Sequence, residues 1–270
     1  MKYYVVDAFS EQLFKGNPAG ICISDSFPDA RLMQNIAMEN NLSETAFLVP
    51  REQQGHFDLK WYTPELEIEL CGHATLASAY VVHHHVDSSL KEISFHTLSG
   101  VLTVSVHEPL YELDFPSRPP VYSNTSELLE EVLGGRTPVE TFMTENDIGI
   151  RYYAVLENEL QVRSFAPDFS KIKALPRNFG LVITAKGDKE DFVSRFFAPA
   201  AGVNEDPVTG SIHTTLIPYW TDKLGKSKVI ARQVSKRGGV LYCEHKGERV
   251  KIGGHAIQYL EGELLVDPTP

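Results

Sequence analysis

The chain of 270 residues resembles itself when it is shifted by half of its length. Trp61–Pro64 (WYTP) then falls on Phe196–Pro199 (FFAP), so that an aromatic pair, a spacer and a proline coincide. The register runs without a gap from about Thr45 and ends with Cys71 on Asp206. Self-similarity at such a long period is not that of a solenoid, whose repeats are much shorter. The sequence therefore predicts two copies of one domain.

Each predicted copy consists mostly of short apolar or alternating segments, which favour strands, with few helical patterns. From Cys71 the small residues of CGHATLASAYVV favour a helix of about three turns. The proline- and serine-rich stretch that begins at Pro116 is the best candidate for a linker. We therefore expect an α+β protein with a first half over residues 1–117 and a second half over 118–270, and the strand near 264–266 is a candidate to return to the first half.

Composition restricts the partners that we expect. The net charge of −11 repels phosphate backbones, which argues against a nucleic-acid partner. The apolar patch before Asp7 is too short for a signal peptide or a membrane span. Three cysteines without a CxxC spacing favour reduced thiols, and hence a cytoplasmic protein. No zinc-ligand spacing and no nucleotide-binding fingerprint is present, so we expect neither a metal nor a cofactor.

Both copies place a glycine turn where a strand leads into a helix. These turns contain Gly72 and His73 in the first half and Thr209, Gly210 and Ser211 in the second. The exposed N–H groups and the positive end of the helix dipole at such a point bind anions, typically a carboxylate. Two similar domains facing each other also form a cleft, which is a preferred place for a ligand. The sequence thus predicts a small carboxylated metabolite held between the halves.

Groups able to transfer a proton lie near both turns. Cys71 and Asp206 occupy the paired positions, His73 and Ser211 follow them, and Glu44 lies in the run NLSETAF. Each also has an ordinary structural explanation. A cysteine such as Cys71 is often a small buried apolar residue. An aspartate before a proline, such as Asp206, is often a turn residue, and a serine such as Ser211 is common at the start of a helix. The pairing of the two halves is what favours a catalytic role for the whole set.

The motifs together resemble the PhzF family of phenazine-biosynthesis-like isomerases. The segments that carry the resemblance are GNPAG after VDAF, NLSETAF, CGHATLA, FFAPxxGxxEDPVTGS and RGG, and they extend over essentially the whole chain. The resemblance implies a diaminopimelate-epimerase-like fold, in which each of two pseudo-symmetric halves is a β-roll closed around a central helix. It also implies proton transfer without metal or cofactor.

The resemblance carries roles over to individual residues. It makes Glu44 the main proton shuttle, assisted by His73, Asp206 and Ser211. Around these catalytic residues, we expect the substrate to contact Gly72 and Cys71 in the first half and Thr209 and Gly210 in the second. We further expect the protein to form a homodimer. Its expected substrate is a small carboxylated metabolite.

Two alternatives stay open at this stage. The related epimerases use two cysteines for proton transfer, so a mixed pair of Cys71 and Asp206 would make an amino-acid epimerase. A protein on the same fold that binds a metabolite without catalysis is the second alternative. Neither the substrate nor its stereochemistry follows from the sequence.

Overall fold

The computed structural model describes residues 1–146 and 149–266, which divide into two compact units. Unit 1 contains Met1–Asp114 together with the described chain from Ile252 onward, and unit 2 contains Phe115–Lys251. The first boundary lies close to the predicted one at 117/118. The returning segment begins at Ile252, and is therefore longer than the single strand near 264–266 that the sequence indicated.

The described chain is rich in strands. The strands are β1 (Lys2–Ala8), β2 (Asn17–Ile23), β3 (Glu44–Pro50), β4 (His56–Tyr62), β5 (Glu67–Ile68), β6 (Glu92–Thr97), β7 (Gly100–His107), β8 (Leu110–Pro116), β9 (Val121–Tyr122), β10 (Glu140–Asn146), β11 (Gly149–Val155), β12 (Asn178–Lys186), β13 (Phe192–Ala198), β14 (Val203–Asp206), β15 (Lys228–Gln233), β16 (Gly239–Lys246), β17 (Arg249–Gly254) and β18 (Ala256–Glu263). The helices are α1 (Ala30–Asn40), α2 (Gly72–His85), α3 (Ser126–Val132), α4 (Glu159–Ser164), α5 (Phe169–Lys173) and α6 (Gly210–Leu224). No helix of these described ranges is long and apolar enough to cross a membrane.

The two units pair their strands in the same order. In unit 1, β1 runs antiparallel to β2, β2 parallel to β3, β3 antiparallel to β4, and β4 antiparallel to β5 and parallel to β6, which is antiparallel to β7. In unit 2, β10 to β16 repeat every one of these relations. The α+β fold class with two similar halves is confirmed.

A long helix forms the core of each unit. Helix α2 is buried on all sides over most of its length, since ten of its 14 residues are buried, and it packs against β1, β2, β3 and β7. Helix α6 packs against β15 and β16, and its Trp220 stacks on Phe192 of β13 with the ring centroids 5.6 Å apart. Strands surround α2 and α6, so the first residues of both helices are held in fixed positions. These first residues belong to the glycine turns at Gly72 and Gly210.

The pairing registers correct the predicted alignment of the halves in two places. In the β3–β4 hairpin Pro50 lies opposite Phe57, whereas in the β12–β13 hairpin Lys186 lies opposite Phe192, so the second turn is one residue shorter. Residues 51–56 thus correspond to residues 187–191. The gap-free register from Thr45 is interrupted at this turn.

The second correction concerns Cys71. It is the N-cap residue of α2, and the N-cap residue of α6 is Thr209. Asp206 ends β14 opposite Phe196, as Ile68 ends β5 opposite Trp61. The predicted equivalence of Cys71 and Asp206 is therefore wrong by three residues, because the connection from Phe196 to Asp206 is longer and contains a 3₁₀ turn at Pro199–Ala201.

Candidate active site

Glu44 and His73 lie together in unit 1. Glu44 is the first residue of β3, and His73 is the second residue of α2, the helix that β3 packs against. Nε2 of His73 lies 3.0 Å from Oε2 of Glu44, and the two side chains are only 6% and 16% exposed. The fold thus buries a carboxylate against an imidazole at the start of the central helix.

Two further side chains contact the other nitrogen of the His73 ring. Sγ of Cys71 lies 3.5 Å from Nδ1, and Nδ2 of Asn17 lies 3.2 Å from the same atom. Asn17 is completely buried at the start of β2. When the ring is neutral, the amide of Asn17 donates to Nδ1, so the ring proton is on Nε2 and faces Glu44. The imidazole is therefore oriented by Asn17 and Cys71 on one side and by Glu44 on the other.

These contacts shift the pKa values of Cys71 and His73. Burial raises the pKa of the Cys71 thiol, and the neighbouring charge of Glu44 raises it further. Burial acts to lower the pKa of His73, but the negative charges of an ionised Cys71 and of Glu44, with the hydrogen bond between the ring and Cys71, outweigh burial, and this pKa lies well above its usual value. Glu44 therefore favours a protonated His73 ring, while it disfavours a Cys71 thiolate.

The short contact between Glu44 and His73 does not have hydrogen-bond geometry. Neither Oε2 of Glu44 nor Nε2 of His73 has a hydrogen-bond partner among residues 1–146 and 149–266, although both atoms are buried. Buried polar atoms are rarely left in this state. Both atoms thus lack an aligned hydrogen-bond partner, although they face each other as an ion pair.

Folding also brings three potential metal ligands together. One donor atom each from Glu44, Cys71 and His73 lies within 4.8 Å of the others. The spacing along the chain did not indicate this group, because β3 and α2 are distant in sequence. The imidazole lies between the sulfur and the carboxylate, each contacting a different ring nitrogen, whereas a zinc ion needs all donors about 2.0 to 2.3 Å from one point. The arrangement fits a proton relay better than an ion.

The predicted residues of unit 2 gather at the start of α6. The Thr209 hydroxyl donates to the Asp206 carboxylate. Gln233, which is completely buried, accepts from the Thr209 backbone N–H at 2.9 Å and donates to the Asp206 carbonyl oxygen at 2.6 Å. Gly210 and Ser211 follow as the first two helical residues, and the Ser211 hydroxyl has no hydrogen-bond partner in the described chain. Gln233 therefore holds the turn, and Ser211 is free to bind.

His213 stabilises the same turn from inside the helix. Its Nδ1–H donates to the Thr209 carbonyl oxygen at 2.7 Å, while its Nε2 is buried without a hydrogen-bond partner in the described chain. Burial lowers the pKa of His213 to about 4, and the bond to Thr209 offsets this only in part. His213 is therefore neutral, and it belongs to the framework of the turn.

The structure thus gathers the predicted residues into one group in each unit. Glu44, Cys71, Gly72 and His73 lie together in unit 1, and Asp206, Thr209, Gly210 and Ser211 lie together in unit 2. Sequence reasoning missed Asn17 and Gln233. Asn17 lies between Gly16 and Pro18, which are typical turn residues, so the local sequence does not indicate that its side chain is buried.

Comparisons with known proteins agree over nearly the whole chain. An uncharacterised isomerase of Pseudomonas aeruginosa is 44% identical over 261 residues, which are 97% of this chain and 97% of that protein. A solved structure of a PhzF-family phenazine biosynthesis protein from Enterococcus faecalis is 44% identical and superposes with a TM-score of 0.93 over 98% of this chain and 99% of that one.

More distant structures share the fold. A probable proline racemase from Agrobacterium radiobacter has a TM-score of 0.65 at 9% identity, with 99% of this chain and 93% of that one covered. The model of the phenazine biosynthesis-like protein family (PhzC-PhzF) matches residues 6–262. Together with the strand order and the motifs at both helix starts, this match shows that the chain belongs to the phenazine biosynthesis-like protein family.

Proposed function

We propose that this protein is an isomerase that moves a proton on a small carboxylated metabolite by acid–base catalysis, with Glu44 as the main proton shuttle. The Glu44 carboxylate takes a proton from a carbon of the substrate and returns it at another position. No electrons are gained or lost overall, so the reaction needs no oxidant or reductant.

The observation that carries this proposal is the contact between Glu44 and His73. Oε2 of Glu44 is buried, lies 3.0 Å from Nε2 of His73 and has no hydrogen-bond partner in the described chain. A general base needs a fixed position, and the contact with His73 gives the Glu44 carboxylate one. The positive charge on His73 stabilises the carboxylate before it accepts the proton, and Asn17 keeps the ring in place.

We assign supporting roles to the remaining predicted residues. The backbone N–H groups at Gly72 and Gly210 are at the positive ends of the two long helices and suit a carboxylate of the substrate. Ser211 has a free hydroxyl, and Asp206, held by Thr209, is a second group for proton transfer. Three expectations stay predictions: a substrate in a cleft between the halves, a homodimer and a cytoplasmic location.

Cofactor independence is part of the proposal. Glu44, His73 and a substrate carboxylate contain all the groups that a proton shift requires. The relatives named as isomerases support this class of reaction for them. The His73 ring lies between the Cys71 sulfur and the Glu44 carboxylate, an order that suits direct proton transfer.

An epimerase that uses Cys71 and Asp206 is the alternative with a specific observation in its favour. The Cys71 sulfur lies 3.5 Å from His73, which is a position for a proton donor. Burial and Glu44 raise the pKa of this thiol, however, so a thiolate base is disfavoured. Cys71 and Asp206 also do not occupy equivalent positions in their units.

Solvent-deuterium incorporation tests the proposal without a known substrate. The protein is incubated in D₂O with pools of small carboxylic and amino acids, and compounds that gain a carbon-bound deuterium are identified by mass spectrometry. We expect at least one such compound, with label absent when the protein is omitted. A protein that retains a metabolite but labels none would be a binding protein.

A further inference from the structure

Arg151 in unit 2 lies beside two aromatic rings, and a role in folding does not explain this environment. It is the third residue of β11, and its guanidinium carbon lies 5.0 Å from the ring centroid of Phe179 and 5.4 Å from that of Phe196. The side chain is half-buried. Two aromatic rings therefore fix the orientation of a cation.

This cation has no acidic partner in the described chain. The protein has 36 acidic against 25 basic side chains, and Arg232, another half-buried arginine of unit 2, is paired with Glu190 at 2.6 Å. Nε of Arg151 is buried and has no hydrogen-bond partner among the described residues. Such a donor is costly to leave unpaired. An arginine in this state is suited to an anion that arrives from outside the chain.

Space for the two rings is built into the neighbouring strand. Gly180 pairs with Arg151, and a Cβ at Gly180 would lie 2.3 Å from the ring of Phe196. Its φ is not in the left-handed region, so the glycine serves to admit the ring and not to make a turn. Phe179 lies in the bulge between the pairs Ile150–Asn178 and Arg151–Gly180.

Strand alternation places Arg151 on the α6 face of the sheet. Tyr153, two residues along β11, stacks on Phe142, which contacts Tyr219 of α6. Residues two apart in a strand share a face, so Arg151 lies on that face. By the same argument Phe196 lies on the face of Phe192, which stacks on Trp220 of α6.

The same face carries the predicted site residue Asp206. Phe196 and Asp206 lie directly opposite each other in the β13–β14 pair, so their side chains share a face. In unit 1 the ladder position that corresponds to Arg151 and Gly180 is held by Ala19 and Glu44. Glu44 thus corresponds to Gly180, and Arg151 corresponds to Ala19, so Arg151 lies on the strand next to the position that matches the proton shuttle.

We propose that Arg151, held between Phe179 and Phe196, is a carboxylate-binding residue that receives the carboxylate of the substrate on the face of Asp206. A guanidinium offers a planar pair of N–H groups that matches the two oxygens of a carboxylate. This inference rests on the proposed function for its substrate class, while the binding of a carboxylate does not depend on catalysis.

The test uses benzoate as the probe and benzamide as its neutral counterpart. Binding to the protein is measured by calorimetry at low ionic strength for wild type, Arg151→Met and Arg151→Lys. Arg177→Met is the matched control, because Arg177 is an exposed arginine of unit 2 that is already paired with Glu145. We expect wild type and Arg177→Met to prefer benzoate, and Arg151→Met to bind it about ten- to a hundredfold more weakly.

Arg151→Lys keeps the charge but loses the planar pair, so we expect intermediate binding. Circular dichroism shows whether each variant is folded. If Arg151→Met is not, the ¹⁵Nε resonance of Arg151 in wild type decides: it shifts on addition of benzoate and not of benzamide. Wild-type affinity in a folded Arg151→Met, equal binding of the two probes, or an unmoved resonance would each overturn the inference.

The outcome is separable from that of the proposed function. Benzoate binding involves no proton transfer, so it is measured independently of the activity of Glu44. If Glu44→Gln retained deuterium incorporation while Arg151→Met lost benzoate binding, the shuttle would be wrong and the carboxylate site would stand.

Discussion

Nε2 of His73 faces Oε2 of Glu44 at 3.0 Å, yet the two atoms do not form a hydrogen bond with each other. The contact is an ion pair and not an aligned hydrogen bond. The contact therefore stabilises the charges of a carboxylate and an imidazolium while leaving both able to act on a substrate, and the predictions below depend on this relationship.

The stability of the protein should report the charge on His73. Its pKa is raised in the folded state, so its contribution to the free energy of unfolding is fully present below the unfolded value of about 6.5 and is lost as the pH rises through the folded pKa. We expect His73→Gln to cost up to about 3 kcal/mol at pH 6. Urea denaturation of both proteins between pH 6 and 10 should show this difference shrinking with pH. A difference that grows with pH would mean that His73 is neutral in the folded protein.

Asn17 should control the orientation of the His73 ring. Asn17→Ala removes a buried hydrogen-bond partner, which costs about 1 to 3 kcal/mol of stability. Asn17→Asp instead offers an acceptor to Nδ1–H and should raise the pKa of His73 further. The ¹⁵N shifts of the ring, followed through a pH titration, measure both effects. Exposed Asn158, which caps α4, provides the control: Asn158→Ala should leave the His73 resonances unchanged.

His213 should make unit 2 sensitive to acid. Its pKa is lowered to about 4 by burial, so the stability it contributes is present above the unfolded value of about 6.5 and is lost as the pH falls towards 4. The full loss is up to about 3 kcal/mol. Thr75 of α2, which lies at the corresponding helix position, donates its hydroxyl to the N-cap carbonyl oxygen as His213 does.

This correspondence suggests His213→Thr as the matched variant. We expect it to be less stable than wild type at pH 7, since it lacks the buried ring, but to lose less free energy of unfolding between pH 7 and pH 4.5. Parallel losses in the two proteins would show that His213 does not cause the acid sensitivity.

Much of the architecture followed from sequence, because aromatic pairs and glycine turns recur in both halves. The offset from Trp61 to Phe196 agrees with the strand registers, since these residues lie opposite Ile68 and Asp206. The alignment after them was wrong because the three extra residues before Asp206 lie in a 3₁₀ turn. Insertions in a connecting loop leave the strand pattern intact, so periodicity does not reveal them.

Only those residues of the candidate site that belong to a recognisable motif could be predicted from the sequence. Glu44 and His73 were named from the sequence, but their contact depends on how β3 packs against α2. Asn17 and Arg151 lacked a motif that indicates their chemistry, and their importance follows from burial and missing partners. Burial of a polar atom is a property of the folded chain, which no local pattern of residues reports.

Removal of metal ions should leave catalysis intact. The imidazole of His73 separates the Cys71 sulfur from the Glu44 carboxylate, so we expect the protein to need no ion. Deuterium incorporation into a labelled metabolite is measured before and after exhaustive dialysis against a chelator, with metal content followed by mass spectrometry. Loss of labelling that added zinc restores would show that these residues hold a working ion.

The most direct measurement compares Glu44→Gln with Cys71→Ser in the deuterium-incorporation assay, using a metabolite that wild type labels. Glutamine keeps the size of the Glu44 side chain but cannot carry the proton, so we expect a rate about 10² to 10⁴ lower, with binding of the metabolite largely retained. Cys71→Ser should label at close to the wild-type rate. Near-normal labelling by Glu44→Gln together with its loss in Cys71→Ser would contradict the Glu44 shuttle and identify Cys71 and Asp206 as the pair that transfers the proton.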